Sequence, residues 1–252
     1  MAAHPPTNIT RREYMELVQI GAANESFWRR VAVRMPFKKK KLHTPLADAE
    51  HIMGDNIHRV QEVRYALRHD DDFAEQNAHL TVVPFTTEEL EWASEHGVIL
   101  TIHSRSVQRL LQVTRGTVSF PHGVLSDAEK IMCHRPKQAG WHLFLRTRPA
   151  HQEDLVLRSR PKSLVSREHI PSLDLALSAT TVDLLVRNHL PPPHTGPRLT
   201  ASVIKNADGS VAKRILVQGG VIGDRPIAVM ASQSHAEHPP CVAWKPHPLV
   251  AS

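Results

Sequence analysis

With 252 residues, 41% of them hydrophobic and 22% charged, the chain has the composition of a folded protein with a full core, which argues against intrinsic disorder over most of its length. No apolar run approaches the roughly 18–20 residues that a membrane helix needs. Residues 1–10 lack the charged-then-apolar pattern of a secretion signal, so the expected location is cytoplasmic and no membrane partner is expected. Cys133 and Cys241 show no C-x-x-C spacing, which points to separate reduced thiols, not to a disulfide framework or a thiolate zinc site.

Charge is sorted into blocks. Residues 10–41 hold nine Lys and Arg (Arg11, Arg12, Arg29, Arg30, Arg34, Lys38, Lys39, Lys40, Lys41) against Glu13, Glu16 and Glu25, a local excess equal to the +6 of the whole chain. Residues 69–104 contain no Lys or Arg, while Asp70, Asp71, Asp72, Glu75, Glu88, Glu89, Glu91 and Glu95 make the stretch acidic. Such blocks steer partners and attract one another over about a Debye length, roughly 10 Å at 0.1 M salt.

In chain order, Thr10 with Glu13 forms a capping box that opens a first helix, which Met35, Pro36 and Phe37 end; Lys38, Lys39, Lys40 and Lys41 follow as a connector. A second helix is expected over 46–68, with Leu46, Ala49, Met53, Val60, Val63 and Leu67 along one side. Leu80, Val82 and Val83 predict a short strand, Thr86 with Glu89 a capped helix ending before Gly97, and 98–102 a buried strand. A connection of this length suits a right-handed crossover joining parallel neighbours. Ser104 reads as the cap of a further helix, and Ser126 with Glu129 as the start of another that Pro136 ends. Further on, 140–147 alternates as a strand around Trp141, 172–189 reads as a long helix, and 199–205 with 211–218 flank a hairpin turn at 206–210. The glycine-rich segment 219–223 reads as a turn, 227–230 as an added strand, and the Pro- and His-rich tail beyond 232 as irregular.

On one helix, His51, Asp55, His58 and Glu62 fall within a narrow sector opposite the apolar seam, a spacing that suits a metal ion but also an ordinary solvated face, the reading favoured here. The eighteen histidines form no H-E-x-x-H or H-x-H pair. Cys133 beside His134 points the wrong way to share a proton and reads as core. Neither a Walker loop nor G-x-G-x-x-G is present, so no cofactor is expected. A second basic stretch holds Arg146, Arg148, Arg158, Arg160, Lys162 and Arg167; with the N-terminal block it could track a phosphate backbone or pair with the acidic stretch.

These readings define an α+β protein: a helical, basic N-terminal unit at 1–69, a mixed α/β domain with a C-terminal β-hairpin at 79–232, and an irregular tail at 233–252. The expected function is non-catalytic binding or assembly with the ligand left open, a protein partner or assembly being one option. The alternative is nucleic-acid binding through Arg29, Arg30, Arg34, Lys38, Lys39, Lys40 and Lys41, and the third is a metal-dependent enzyme using the His51, Asp55, His58 and Glu62 face.

Overall fold

A computed structural model describes residues 42–104, 110, 112–113, 117–119, 139–189, 196–222, 225–233 and 238–247. In chain order the described elements begin with β1 (Thr44–Pro45), α1 (Leu46–Met53), α2 (Val60–Ala66), α3 (Phe73–Gln76), β2 (Val82–Val83), α4 (Thr87–Glu95), β3 (Val98–His103) and β4 (Val118–Ser119). They continue with β5 (Gly140–Leu145), α5 (Ala150–Ser159), α6 (Lys162–Val165), β6 (Glu168–His169), α7 (Leu173–Arg187), β7 (Arg198–Lys205), β8 (Val211–Ile222), β9 (Arg225–Gln233) and β10 (Ala243–Trp244). This is the α+β class that the sequence predicts.

One sheet runs β3-β5-β10-β6 with every neighbouring pair antiparallel. Its register sorts the side chains. Val98, Leu100, Ile102, Trp141, Leu143, Leu145 and Trp244 share one face; Ile99, Thr101, His103, His142, Phe144, Ala243 and His169 share the other. On the first face Trp92 of α4 meets Trp244 edge to face at 5.4 Å. The second face receives α7, whose Asp174 bonds His103. A second sheet, β4-β9-β8-β7, is antiparallel except for the β4–β9 pair. Because α7 also contacts β7 and β8, it is buried around most of its circumference, as its composition of Leu, Ala, Val, Ser and Thr permits.

Local signals held where they were strong. Thr86 Oγ1 accepts from the Glu89 backbone N–H and the Glu89 carboxylate accepts from the Thr86 N–H, which is the predicted capping box. Gly97 follows α4 at φ +58, and a Cβ there would run into the Arg148 guanidinium. α7 begins one residue after Ser172 and ends at Asn188 in the left-handed region. The hairpin between β7 and β8 turns through 206–210, with Gly209 at φ +85.

Other expectations are corrected. The helix expected at 46–68 is broken: Gly54 adopts φ +53, residues 54–56 form a single 3₁₀ turn, and Ile57 and His58 run extended beside Leu100, where the His58 N–H donates to the Leu100 carbonyl. A hydrogen bond to the edge of β3 replaces the helical one, so tertiary pairing overrides the helical period. β2 pairs antiparallel with β1 and β3 pairs antiparallel with β5, so no parallel crossover joins them. Thr44 Oγ1, donating to the Phe85 carbonyl at 2.8 Å, helps hold that segment to β1. Residues 219–222 do not turn but continue β8, with an irregularity in the pairing with β9. Within the tail read as irregular, Ala243 and Trp244 form β10 between β5 and β6, joining two strands whose facing edges would otherwise lack a neighbour.

The apolar core draws on every part of the described chain. Ala49, Met53, Ile57, Val63 and Leu67, placed by sequence in the N-terminal unit, lie in the same cluster as Leu100, Trp141, Leu175 and Trp244. Residues 1–41, which include the basic block, and the helix expected from Ser126 lie outside the described residues.

Candidate functional site

Two polar constellations meet the faces of α7, although nearly everything else around that helix is apolar. Near its C-terminal end, Asp183 is only 4% exposed and accepts from Arg146 Nε and Nη2 at 2.8 Å each, from His58 Nε2 at 3.3 Å and from His189 Nδ1 at 3.0 Å. Arg146 Nη1 donates to Asn56 Oδ1 at 2.6 Å, Asn56 Nδ2 donates to the Ser94 carbonyl, and His58 Nδ1 lies 2.9 Å from Thr101 Oγ1. Alongside, Arg187 clamps Glu62 with both terminal nitrogens. Burial works against ionising Asp183, but the hydrogen bonds from Arg146, His189 and His58, with the Arg146 charge, outweigh it and hold the carboxyl far below the usual carboxylate range. For His58 burial dominates and lowers the imidazole despite Asp183. The arrangement is a closed, charge-compensated joint tying α7, β5 and the 54–59 segment together.

The N-terminal end of α7 is different. His103 Nε2 lies 2.6 Å from Asp174 Oδ2. His142, on the neighbouring strand and the same sheet face, stands with its ring 5.7 Å from that of His103 and 6.0 Å from that of His169. Lys245, one residue beyond β10, continues the strand register to this face. His142 Nδ1 is shielded from solvent and has no hydrogen-bond partner among the described residues. Burial, and then the charges of His103, His169 and Lys245, push the His142 imidazole down to about 3, with Asp174 opposing.

A pH dependence follows from this end of the helix. The folded state keeps His142 neutral, whereas the unfolded chain takes up the proton near pH 6.5, so stability is complete above that pH and falls as pH drops from 6.5 toward 3. The loss approaches about 1.4 kcal/mol per pH unit, or about 2 kcal/mol by pH 5. His58 shifts the same way. Urea midpoints measured between pH 7 and pH 5 should fall, and His142→Gln should flatten the decline; a midpoint constant over that range contradicts the assignment.

The expected site residues are placed as follows. His51 and Asp55 are exposed on α1 and the turn after it, whereas His58 is fully buried against Asp183 and Glu62 binds Arg59 and Arg187. The break at Gly54 separates what one helix face would have aligned. Among the described residues no group of three or more His, Cys, Asp or Glu is placed to hold a metal ion. At the histidine cluster His103 is committed to Asp174, and His169 Nδ1 lies within reach of the Arg167 carbonyl. Several members of the second basic stretch turn inward: Arg146 to Asp183, Arg148 to the Gly97 carbonyl, Arg160 to Glu168 and Arg167 to Glu89. Ser104, expected to cap a helix, is 2.9 Å from His69 Nε2. Cys241 is buried, and burial pushes its thiol up to about 12. Arg29, Arg30, Arg34, Lys38, Lys39, Lys40 and Lys41 lie outside the described residues.

Sequence reading missed Asp174, Asp183 and His142 as site residues and placed Arg146 only in a basic stretch. For Asp174, Asp183 and His142 the available signal was composition: each interrupts a stretch whose neighbours are nearly all apolar, Trp141-His142-Leu143 and Leu173-Asp174-Leu175 being the plainest cases. Among the described residues no helix is long and apolar enough to cross a membrane. Comparison with protein-family models, with curated proteins and with solved structures finds no match to this chain.

Proposed function

We propose that the chain is a non-catalytic binding protein and that it takes its ligand at the His103, His142 and His169 end of the sheet. The observation that supports this reading is the His142 Nδ1 atom, shielded and unpartnered beside two other imidazoles. A desolvated polar atom with no partner costs about 1–3 kcal/mol, and a bound group that pairs with it recovers that loss. Other ionisable groups are already committed or inert: Asp183 is saturated with donors, Arg187 and Glu62 satisfy each other, and the Cys241 thiol is not nucleophilic at neutral pH. Thermal-shift screening of chemically varied small molecules tests the reading. At least one should raise the melting temperature of the parent by several degrees and leave His142→Phe unmoved; a screen in which nothing stabilises the parent removes the proposal.

A second reading rests on the basic block: nine Lys and Arg against three Glu within 10–41 favour weak, sequence-independent contact with a nucleic-acid backbone. Replacing Lys38, Lys39, Lys40 and Lys41 with Gln should weaken DNA or RNA binding, with the logarithmic salt slope becoming less steep by about 3–4 if all four contact phosphates. If the parent shifts no nucleic acid at low salt, or the Gln variant binds equally well, the block is a solvated connector.

A further inference from the structure

Resting on the binding role just proposed, we infer that the histidine cluster at the start of α7 is a receptor for a small oxyanion of the phosphate or sulfate class, with His142 and Lys245 as its principal donors. Three observations converge. Strand register puts His103, His142, His169 and Lys245, from β3, β5, β6 and the residue after β10, on one face at one end of the sheet, with the His142 ring between those of His103 and His169. Asp174, the carboxylate that α7 turns toward them, is already bonded to His103. His142 Nδ1 lacks a hydrogen-bond partner among the described residues.

A neutral ligand would satisfy Nδ1 but add nothing against the charges of His103, His169 and Lys245, which Asp174 opposes only in part. A second carboxylate from the protein would do both, but Asp174, the carboxylate that acts on His142, is already bonded to His103. A small oxyanion supplies several acceptors and a negative charge together, which is what a protonated imidazole beside an ammonium requires.

The chemistry also couples anion to proton. In the free protein His142 is neutral at pH 7, because burial and the neighbouring His103, His169 and Lys245 disfavour its charge while Asp174 opposes them only in part. An anion seated between His142 and Lys245 reverses the local field, so the imidazole takes up a proton as the anion enters. Once the pH lies between the free and bound pKa values, affinity strengthens about tenfold for each unit of acidification.

Sulfate is the appropriate probe, because its own charge does not change over the working range and any pH dependence then belongs to the protein. The full chain carrying Gln at positions 38, 39, 40 and 41 removes the N-terminal lysines as competing sites. Titration calorimetry in two buffers of different ionisation enthalpy should show sulfate binding at least tenfold tighter at pH 5.5 than at pH 7.5, with uptake approaching one proton per anion. His142→Gln should abolish the proton uptake, whereas Lys245→Gln should weaken binding at least fivefold and leave uptake in place. If His142→Gln does not fold, the imidazole nitrogen shifts of His142 in the otherwise unsubstituted cluster, followed by NMR, must move on sulfate addition. Absence of sulfate binding, proton uptake that persists in His142→Gln, or unmoved His142 shifts overturns the inference. If sulfate fails while an uncharged compound stabilises the parent through His142, the anion assignment alone falls; if nothing binds, the binding role falls with it.

Discussion

Asp183→Asn is expected to lower the unfolding free energy by about 3–5 kcal/mol, the loss typical of removing one partner from a buried ion pair. The reason is geometric. Asn cannot balance the Arg146 charge, and its amide can replace only part of an acceptor set that now serves Arg146, His58 and His189. Arg146 would remain largely buried with Asn56 as its surviving side-chain partner. Urea unfolding at pH 7 reads the effect, and an unchanged midpoint would show the network to be open to water and of little energetic weight. Arg146→Met should cost less when added to Asp183→Leu than when made alone, because the first leaves no orphaned charge and the second does.

Trp141→Ala is expected to cost about 3–5 kcal/mol, the range for emptying a buried aromatic site. The indole is 1% exposed, shares a sheet face with Ile102, Leu143 and Trp244, and donates from Nε1 to the Leu80 carbonyl at 3.0 Å. Trp141→Phe separates the two contributions. It retains most of the apolar volume and removes the hydrogen bond, so it should cost about 1–3 kcal/mol for the orphaned carbonyl and the smaller ring. A melting midpoint unchanged by the Ala substitution would mean that the strand face at Trp141 is not core.

Legibility in the sequence tracked the range of the interactions. The Thr86 and Glu89 capping box, the limits of α7 and the β7–β8 hairpin depend on residues a few positions apart, and each could be read directly. The break after Met53 could not, since it depends on Ile57 and His58 finding the edge of β3 some forty residues later. β10 was hidden for a similar reason: two residues flanked by prolines and histidines carry no period, and only the gap between β5 and β6 makes them a strand. The site was the least legible part. His58 and Asp183 are separated by 125 residues and Arg146 and Asp183 by 37, so sequence could flag each as a polar interruption without saying which would meet. The four-residue metal face failed as an alignment because it assumed an unbroken helix.

The place of β10 has a consequence for how the chain reaches its native state. During synthesis, β3, β5, β6 and α7 all leave the ribosome before Ala243 and Trp244 exist, and until then β5 and β6 have no strand between them. Until Ala243 and Trp244 emerge, the growing chain carries the facing edges of β5 and β6 unpaired and Trp92 without its edge-to-face partner, a state that invites pairing with other nascent chains. Completion of the sheet is a closure across about a hundred residues of sequence, which belongs to the slow end of folding topologies. A chain cut before residue 243 would be expected to engage chaperones or aggregate even though nearly all of its core residues are present.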